Sequence, residues 1–373
     1  VEQMEEMNAD IVKFAVLTTS LAEAIQVLKV AKNAEVPTIG IGMGEIGLFT
    51  RILGAKYGAP LTYCNFHPER TFAPGMPHLR DLRDDFAYGR IAQDTEVYAV
   101  IGDPIAQSLS PAVHNAVFKH LGMNKTYVPI LVPGGSLKAS LETLSWLDLK
   151  GLSVTIPHKQ EIIPLLDKVD ETVDRTGACN TVAFDNGTKI GYNTDYPAAL
   201  TTMENALGGL KEDGSPPLAD KQALILGAGG VARSVAFGLS RSGAGVSISN
   251  RTDARANELA EQVGCRTVTW AMRASVACDI MVNCTSVGMH PDVDETPMPP
   301  AGFRPNILVF DTVYHPEHTM FLKLAKEHDC KIATGVEMFV IQAALQSKLF
   351  TGQEPPLDIL REVVRRKFSP MRD

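Results

Sequence analysis

Residues 223–233 read ALILGAGGVAR: an apolar run, a glycine-rich turn and the beginning of a helical pattern. Their spacing fits G-x-G-x-x-G/A, with Gly227, Gly229 and Ala232 in the three fixed positions. Gly227 permits a tight turn, Gly229 lets a pyrophosphate approach the backbone, and the small Ala232 lets the helix pack on the strand. The helix N-terminus supplies N–H donors and a positive dipole. The stretch predicts a Rossmann-type dinucleotide site, and a glycine turn without a ligand is the alternative interpretation.

The next strand-like run indicates which dinucleotide is bound. It reads VSISN and ends at Asn250, which is followed by Arg251 and Thr252. A site for NAD usually carries a carboxylate here to hold the ribose 2′-hydroxyl, whereas a cation and a hydroxyl suit a 2′-phosphate. The pattern favours NADP over NAD, with a solvated surface charge as the alternative explanation of Arg251.

Composition and charge exclude several classes of protein. The chain has 373 residues, 45% of them hydrophobic, and a formal net charge of −8. This length predicts two or three domains, and the acidic balance argues against nucleic acid or an anionic membrane as partner. The N-terminus is acidic and no apolar run could span a bilayer, so we expect neither a signal peptide nor a membrane span. The six cysteines lack metal-ligand spacing, which predicts reduced cytoplasmic thiols and no metal site.

Short β-branched runs alternate with helical patterns along the chain, which is typical of α/β folds with parallel strands. Residues 1–92 form a first block with three strand-like runs, ADIVKFAV, TIGIGM and PLTYCNF. Residues 95–200 form a second α/β unit, and residues 201–335 form a third around the glycine turn. We expect the helices of residues 336–373 to pack on the α/β unit of residues 95–200. The prediction is a substrate domain and a Rossmann domain with a cleft between them.

The second block carries polar residues that an α/β fold does not need for folding. Ser108 and Ser110 precede Pro111, the expected first residue of a helix, and capping explains one serine but does not require both. The run LSVTIPHK brings Thr155 and then Lys159 to the end of a strand, where ligands of α/β folds collect. Other polar groups stand at further element ends: Asn180, Thr181, Asn193, Thr194 and Asp195. Such groups suit a small polyhydroxylated acid better than a lipid or a nucleotide base.

Several spaced motifs together resemble the shikimate dehydrogenase family. They are GDPIAQSLSPAVHN, GLSVTIPHK, GACNTV, GYNTD, the GAGGVAR turn with NRT, NCTSVGM, DTVYHPE and the helix pattern Gly335-x-x-Met338-x-x-x-Gln342. The similarity runs collinearly from about Tyr98 to Gly352. It implies an oxidoreductase that transfers a hydride reversibly between NADPH and 3-dehydroshikimate, giving shikimate, on the pathway to chorismate and the aromatic amino acids.

The resemblance also implies roles for single residues. Lys159 and Asp195 correspond to the family's catalytic pair. A lysine can donate the proton that the carbonyl oxygen needs when a ketone is reduced, and a nearby carboxylate can orient the amine. An ordinary solvated loop lysine is the alternative for Lys159. The residues expected to bind or border the substrate are Ser108, Ser110, Thr155, Asn180, Tyr314 and Gln342.

The cofactor contacts follow from the same resemblance. They are Gly227, Ala228, Gly229 and Gly230 for the phosphates, Asn250, Arg251 and Thr252 for the 2′-phosphate, Thr285, Ser286 and Val287 along the dinucleotide, and Gly335 and Met338 near the nicotinamide. For Met338, ordinary core packing explains the residue equally well.

Residues 9–78 resemble another family, the C-terminal part of a type I 3-dehydroquinate dehydratase barrel. Lys13 in ADIVKFAV corresponds to that family's Schiff-base lysine, and Arg51 in GLFTR to its substrate-carboxylate arginine. A lysine amid an apolar strand predicts a desolvated, nucleophilic amine, and a snorkelling structural lysine is the alternative. We expect the helices Leu21–Asn33 and Ile46–Tyr57 between the strand-like runs.

Two departures argue against dehydratase activity in this chain alone. The family's SAPGQ loop reads Phe72-Ala-Pro-Gly-Met76, so its serine and glutamine are both missing. Three strand-like runs are fewer than a closed barrel needs, and the family's catalytic histidine lies upstream of Val1. We therefore expect an inactive remnant or fragment. A homodimer or a missing barrel half is the expected partner that covers the open strands.

Two other functions stay open. A quinate or quinate/shikimate dehydrogenase shares the fold and the lysine–aspartate pair but often uses NAD; the paired serines and Arg251 favour shikimate and NADP. A non-catalytic metabolite sensor is the alternative from another class, although Lys159 and Asp195 are intact and no DNA-binding motif is visible. Because plants fuse the two resembled enzymes, a plastid is the alternative compartment to the cytoplasm.

Overall fold

The computed structural model of the chain describes residues 1–66, 72–209 and 216–368. The chain packs as two compact units. The first comprises Val1–Lys168, Cys179–Gly191 and Ser347–Pro355, and the second comprises Val169–Ala178, Tyr192–Gln346 and Pro356–Asp373. The N-terminal block and the sheet that carries Lys159 therefore share one unit, while the glycine turn belongs to the other.

The N-terminal block alternates strands and helices. Its elements are α1 (Glu2–Glu5), β1 (Val12–Leu17), α2 (Leu21–Asn33), β2 (Thr38–Met43), α3 (Leu48–Leu53) and a 3₁₀ turn (Gly54–Tyr57). Helix α2 begins with a capping box, in which Ser20 accepts from the Glu23 N–H and the Glu23 carboxylate accepts from the Ser20 N–H. Its apolar face is buried against β2. Both bounds of α2 match the prediction.

The prediction of a third strand in this block was wrong. The run PLTYCNF, residues 60–66, contains no strand, and a single bridge joins Asn65 to His78. Pro60 opens the run without an N–H to give to a ladder, and no neighbouring strand pairs with the other described residues of the run. The block therefore has one parallel pair, β1 with β2, which cannot close into a barrel.

The remainder of the first unit is built on a six-stranded sheet. Short helical turns at Asp81–Asp85 and Tyr88–Arg90 precede it, and others lie at Ser145–Leu147 and Ile163–Leu165. The elements in chain order are β3 (Glu96–Gly102), α4 (Ser110–His120), β4 (Lys125–Leu131), α5 (Leu137–Leu144), β5 (Leu149–Val154), β6 (Lys168–Val169), α6 (Glu171–Thr176), β7 (Thr181–Asp185) and β8 (Thr188–Tyr192). The strand order is β4-β3-β5-β7-β8-β6, and β4 and β5 run parallel to β3.

One side of this sheet departs from the parallel pattern of the prediction. β7 pairs antiparallel with β5. β8 follows β7 through Asn186 and Gly187, whose φ values are 48° and 83°. Two successive residues with positive φ form the type I′ turn that suits a tight hairpin. The sequence analysis did not anticipate β8, although an Asn-Gly pair is a strong hairpin signal.

The second unit holds another six-stranded sheet, in which every strand is parallel. The elements are α7 (Asp195–Ala206), β9 (Gln222–Leu226), α8 (Gly230–Arg241), β10 (Gly245–Ser249), α9 (Asp253–Val263), β11 (Arg266–Thr267), β12 (Ile280–Asn283), β13 (Leu308–Asp311), α10 (Met320–Glu327), β14 (Lys331–Ala333), α11 (Gly335–Thr351) and α12 (Leu357–Phe368), with 3₁₀ turns at Trp270–Ser275 and Pro300–Gly302. The order β11-β10-β9-β12-β13-β14 is the 3-2-1-4-5-6 order of dinucleotide folds. Its topological switch lies between β9 and β12, where such folds bind their ligands.

The N-terminal block packs on the six-stranded sheet of the first unit. Helix α2 contacts α5, and α3 contacts β4. The Tyr57 ring stacks on Trp146 with a centroid distance of 4.8 Å. Lys56 Nζ donates to the carbonyl oxygens of Gln93 and Thr95 at 2.7 and 2.8 Å. The block is therefore part of the packing of the first unit.

Candidate active site

The carboxyl ends of β3 and β5 form a polar edge of the first unit's sheet. The Thr155 N–H donates to the Ile101 carbonyl at 3.0 Å, and the Asp103 N–H donates to the Ile156 carbonyl at 2.8 Å. A Cβ on Gly102 would lie 2.4 Å from Thr155 Cγ2, so only glycine lets the two strand ends approach this closely. Thr155 is half-buried at this edge.

The two predicted serines lie beyond the end of β3. Ser110 is the first residue of α4 and is 7% exposed, while Ser108 is half-buried. Ser108 Oγ accepts from the Ser110 N–H at 3.3 Å, so one serine does stabilise the helix start, as the capping alternative proposed. The Ser110 hydroxyl is not needed for that role. A helix N-terminus with two hydroxyls is suited to receive a carboxylate.

Lys159 follows β5 on a loop that a buried histidine fixes. His158 is fully buried; its Nε2 lies 2.7 Å from the Val132 carbonyl oxygen and its Nδ1 lies 3.2 Å from Glu161 Oε2. The carbonyl oxygen of the half-buried Lys159 accepts from the Cys179 N–H at 2.7 Å. The sequence analysis missed His158, whose signal was its place beside Lys159 in the run TIPHK.

Asn180 precedes β7 and meets the end of β5. Its carbonyl oxygen accepts from the Val154 N–H at 2.8 Å, and its side-chain oxygen accepts from Thr181 Oγ1 at 2.8 Å. It is 3% exposed. The first unit thus brings together five of the predicted residues at one sheet edge: Ser108, Ser110, Thr155, Lys159 and Asn180.

Asp195 is the first residue of α7 in the second unit and is 6% exposed. A carboxylate in the first turn of a helix is favoured by the helix dipole. Asn193 Oδ1 accepts from the Tyr196 N–H at 3.1 Å and so fixes that turn. The sequence analysis grouped Asn193 with ligand-binding residues, but the structure buries it, 2% exposed, among internal partners.

Tyr314 and Gln342 also lie in the second unit. The Tyr314 ring packs against Phe339 with centroids 5.0 Å apart, and burial raises the pKa of the Tyr314 hydroxyl. Gln342 is 8% exposed on α11. A Cβ on Gly335, the first residue of α11, would lie 2.3 Å from the Val313 carbonyl oxygen. This close approach fixes the start of α11 against the segment that carries Tyr314.

The glycine turn has the geometry that a dinucleotide requires. Gly227 has φ +116°, and a Cβ there would lie 2.9 Å from the Cys284 carbonyl oxygen. A Cβ on Gly229 would meet no atom within 4 Å, so open space lies over the backbone at the start of α8. Ala232 is fully buried in the core between helix and sheet. The residues therefore fit a pyrophosphate at the free N–H groups of α8.

The end of β10 fits the phosphate of NADP. Asn250 Nδ2 donates to the Thr252 carbonyl at 3.0 Å, which shapes the turn, and Arg251 is exposed. No carboxylate occupies residues 250–252. A second exposed cation, Arg255, stands in the first turn of α9, four residues after Arg251. Arg255 was not among the predicted cofactor residues, although it stands in the first turn of the helix that follows Arg251.

The predicted residues Thr285, Ser286 and Val287 follow β12 beside the topological switch. Asn283 Oδ1 accepts from the Thr285 hydroxyl at 2.7 Å, and Asn283 Nδ2 donates to the Val287 carbonyl at 3.2 Å. This side chain fixes the loop. Met338, in contrast, is 5% exposed and belongs to the core of the second unit, which favours the packing interpretation of that residue.

The two dehydratase-type residues have environments that differ from the expectation. Lys13 is exposed on β1, with its Nζ 4.4 Å from the centroid of the Tyr63 ring, because a two-stranded sheet leaves this face open. The prediction of a desolvated amine was wrong. Arg51 is 2% exposed, and its Nε and Nη1 find no hydrogen-bond partner among the described residues. Burial lowers the pKa of its guanidinium.

Two negative findings concern the described residues only. Between residues 1 and 368, apart from 67–71 and 210–215, no group of three or more His, Cys, Asp or Glu side chains could hold a metal ion. In the same part of the chain, no helix combines the length and apolar character needed to cross a membrane.

A parallel sheet with this strand order, opened by the Gly227 turn, defines a class: the dinucleotide-dependent α/β enzymes. Family models then match four stretches of the chain. They are the shikimate dehydrogenase substrate binding domain (residues 100–182), shikimate / quinate 5-dehydrogenase (210–293), the shikimate 5′-dehydrogenase C-terminal domain (335–365) and type I 3-dehydroquinase (1–91).

Two known proteins match about three quarters of the chain. A shikimate dehydrogenase (NADP(+)) of Moorella thermoacetica is 41% identical over 291 residues, covering 75% of this chain and 96% of that protein. The crystal structure of the Thermus thermophilus shikimate 5-dehydrogenase with NADP(H) and shikimate is 36% identical, with a TM-score of 0.65 over 73% of this chain and 99% of that one. The chain belongs to the shikimate dehydrogenase family.

One relative extends the similarity to the N-terminal block. The chloroplastic bifunctional 3-dehydroquinate dehydratase/shikimate dehydrogenase of Arabidopsis thaliana is 37% identical over 379 residues, which cover 98% of this chain. The chain spans 62% of the length of that protein.

Proposed function

We propose that the chain is an NADP-dependent shikimate dehydrogenase, which interconverts 3-dehydroshikimate and shikimate on the pathway to chorismate and the aromatic amino acids. The observation that carries the proposal is the polar sheet edge, where Thr155, Lys159 and Asn180 meet beside two serine hydroxyls. Residues 95–200 form the proposed substrate domain, and residues 201–335 form the proposed cofactor domain. The helices after residue 335, which the sequence predicted to join the substrate domain, lie in the unit of the glycine turn except for Ser347–Pro355. The names of the relatives agree with this assignment.

The residues divide the chemistry between them. NADPH supplies the hydride that reduces the carbonyl carbon. The Lys159 ammonium donates a proton to the carbonyl oxygen as negative charge develops there, which yields the hydroxyl of shikimate and a neutral amine. Asp195 orients that amine and favours its return to the charged form. The Ser108 and Ser110 hydroxyls bind the substrate carboxylate, and the remaining ring hydroxyls meet Thr155, Asn180, Tyr314 and Gln342.

The carboxyl ends of the second sheet would hold the cofactor. The backbone of residues 227–230 at the start of α8 would bind its phosphates, and Asn250, Arg251 and Thr252 would bind its 2′-phosphate, with Arg255 as a further cation. Residues 285–287 would line the dinucleotide, and Gly335 would stand near the nicotinamide. The exposed arginines and the lack of a carboxylate at residues 250–252 support NADP over NAD.

Removal of either member of the catalytic pair tests the proposal. We expect Lys159→Met and Asp195→Asn to lower turnover of shikimate by about 10²–10⁴-fold, while the dissociation constant of NADP changes little. Lys150→Met is the matched control, because Lys150 lies on β5, the strand that precedes Lys159, but is half-exposed and paired with Asp148 at 2.7 Å. Near-normal turnover in both catalytic variants would refute the assignment.

Quinate is the second candidate substrate, since one matching family model covers shikimate and quinate dehydrogenases alike. Quinate carries a further hydroxyl on the carbon that bears the carboxylate, beside the serines. We expect shikimate with NADP to give the highest kcat/KM of the four combinations of the two substrates and two cofactors. A higher value for quinate with NAD would replace the proposal by this candidate. Tight binding of shikimate and NADP without any turnover would favour a sensor instead.

The N-terminal block is proposed to lack dehydratase activity in these 373 residues. Its Lys13 is exposed, and Phe72 and Met76 replace the two polar residues of the family's loop. The purified chain is therefore expected not to dehydrate 3-dehydroquinate, and detectable dehydration above a Lys13→Met control would overturn this.

Further barrel strands are the proposed partner of the open side of β1. Among the described residues β1 pairs only with β2, and its apolar side chains Val16 and Leu17 are 44% and 61% exposed. We expect the chain to co-purify with a separately expressed upstream part of a type I dehydroquinase barrel. A Leu17→Lys variant that binds it equally well would argue against this face, and a stable homodimer in light scattering would identify a second copy as the partner.

The compartment is proposed to be a reducing one, the cytoplasm or, as for the chloroplastic relative, a plastid. All six cysteines are free thiols. Cell fractionation that finds the protein in an oxidising compartment would contradict this.

A further inference from the structure

Asn193 occupies an unusual place between the last strand of one sheet and the helix that carries Asp195. It follows β8 and stands two residues before Asp195, the first residue of α7. Although asparagine is mostly an exposed residue, this one is 2% exposed. A buried amide must find partners for both its oxygen and its nitrogen, or it destabilises the fold.

The oxygen of Asn193 fixes the start of α7. It accepts from the Tyr196 N–H at 3.1 Å, one of the N–H groups that have no partner inside the helix. Thr194, the N-cap residue by position, makes no side-chain capping bond. Asn193 therefore stabilises the first turn of α7, in which Asp195 stands.

The nitrogen of Asn193 binds three oxygens on other segments of the second unit. It donates to Thr176 Oγ1 at 2.9 Å, to the Ala178 carbonyl at 2.9 Å and to Ser234 Oγ at 2.8 Å. Both hydroxyls use their own hydrogens elsewhere, Thr176 on the Thr172 carbonyl and Ser234 on the Gly230 carbonyl. Each hydroxyl is therefore left as an acceptor for the amide.

Ser234 connects Asn193 to the helix of the proposed cofactor site. It is fully buried on α8, one turn after Gly230, and bonds back to the Gly230 carbonyl at 3.2 Å. The first turn of α8 is the proposed phosphate site. Helices α7 and α8 also approach closely, because a Cβ on Gly238 would lie 2.9 Å from both Tyr196 and Leu200. The bond from Asn193 to Ser234 thus joins the turn that holds Asp195 to the helix that receives the cofactor.

The amide of Asn193 also holds the segment that contains α6. It donates to the carbonyl of Ala178 at 2.9 Å, and Ala178 is the last residue of this segment in the second unit. One side chain therefore fixes both the end of this segment and the helix turn of Asp195.

We propose that Asn193 is the positioning residue of the Asp195 carboxylate and that its bond to Ser234 couples this carboxylate to the cofactor helix. The proposal rests on the proposed dehydrogenase function and adds to it a residue that touches neither substrate nor cofactor. Catalysis depends steeply on such geometry, since a displacement of about 1 Å can cost about 10²-fold in rate.

The test compares three single variants of the full chain. Asn193→Ala removes the cap and all three amide bonds. Ser234→Ala leaves the cap in place and removes the link to α8, together with the bond from Ser234 to the Gly230 carbonyl. Thr202→Val is the matched control: Thr202 is also buried, on α7, but its hydroxyl bonds only within its own helix, to the Ala198 carbonyl at 2.8 Å. For each variant kcat, the KM of shikimate, the dissociation constant of NADP and the pH profile of kcat are measured.

We expect kcat to fall about 10–10²-fold in Asn193→Ala and less in Ser234→Ala, with the pH profile displaced in Asn193→Ala because the Asp195 carboxylate has moved. NADP binding should change less than about threefold, and Thr202→Val should match the wild type in all four measurements. A role in stability alone would lower the folded fraction but leave kcat per folded molecule and the pH profile unchanged.

Two results would overturn the inference. One is a kcat and pH profile in Asn193→Ala equal to those of Thr202→Val. The other is an unchanged kcat in Ser234→Ala, which contradicts the coupling. This second result tests the inference on its own if Asn193→Ala does not fold. A wild-type chain that fails to oxidise shikimate would instead refute the proposed function, so the two failures are distinguishable.

Discussion

At the scale of single residues, a buried carboxyl group at the end of β13 organises the loops beside the topological switch. Asp311 is fully buried and accepts from Thr319 Oγ1 at 2.5 Å, from the Val313 N–H at 3.0 Å and from Asn283 Nδ2 at 3.0 Å. Burial raises the pKa of Asp311 to about 7, and these three donors only partly oppose that effect. The carboxyl group therefore titrates in the neutral range.

The raised pKa of Asp311 predicts a particular dependence of stability on pH. Because the folded pKa lies above the unfolded one, its contribution is fully present below about pH 4 and is lost as pH rises through about 7. Asp311→Asn keeps the shape and removes the titration. We expect the Tm of the wild type minus that of Asp311→Asn to decrease between pH 5 and pH 8. A flat or rising difference for Asp311→Asn would contradict the account.

The positions of single residues were predictable where a short sequence motif fixes them. Lys159 and Asn180 lie at the sheet edge that their strands predicted, and Gly227 has the positive φ that its place in the turn required. Asn193 and His158 were not understood, because their partners are distant in sequence: Ser234 for one and Val132 for the other. Lys13 was misjudged because burial of a strand face depends on what covers it.

At the scale of elements, the start of α8 is the feature on which cofactor binding depends. Gly229 is its N-cap residue, with φ −92°, a conformation open to any residue, and a Cβ there would meet nothing within 4 Å. Alanine is therefore tolerated by the fold at this position. Its methyl group would instead occupy the space into which the pyrophosphate has to approach.

We expect Gly229→Ala to weaken NADP binding by about tenfold or more, while the free energy of unfolding changes by less than about 1 kcal/mol. Titration calorimetry gives the first quantity and urea unfolding the second. Gly89→Ala is the control, since Gly89 also has free space around its Cα and lies in the first unit. Unchanged NADP affinity in Gly229→Ala would place the phosphates elsewhere.

Helices and strands were predictable where the hydrophobic periodicity agrees with the capping and turn residues at their ends. Helix α2 has a capping box before it and an apolar face of period 3.6, and both of its bounds were predicted. The short strand β11 pairs over only two residues, Arg266 and Thr267, both of them exposed, so neither an apolar run nor alternation marks it. Residues 60–66 have the composition of a strand but pair with no neighbouring strand. Strand pairing depends on the tertiary structure, so composition alone could not predict it.

At the scale of the whole molecule, the N-terminal block supports the first unit whether or not it has chemistry of its own. Trp146 stacks on Tyr57, and the ammonium groups of Lys29 and Lys32 lie 5.8 and 5.6 Å from the centroid of its ring. These contacts join a block of the dehydroquinase type to a sheet of the dehydrogenase type. The two parts of the chain are therefore in direct physical contact.

Loss of this contact should reduce stability. We expect Trp146→Ala to lower the free energy of unfolding by about 1–3 kcal/mol, because it removes an aromatic stack and leaves a gap between the two parts. Phe66→Ala, at a side chain that is 80% exposed, should change it by less than about 0.5 kcal/mol. Equal effects in urea unfolding would mean that the block does not stabilise the first unit.

The central claim, oxidation of shikimate with NADP, is tested most directly by the absorbance at 340 nm when the purified chain meets both compounds. The account predicts a steady rise as NADPH forms, with a rate at least about 10²-fold higher than that of Lys159→Met. No rise with shikimate and NADP, or an equal rise in Lys159→Met, would contradict it.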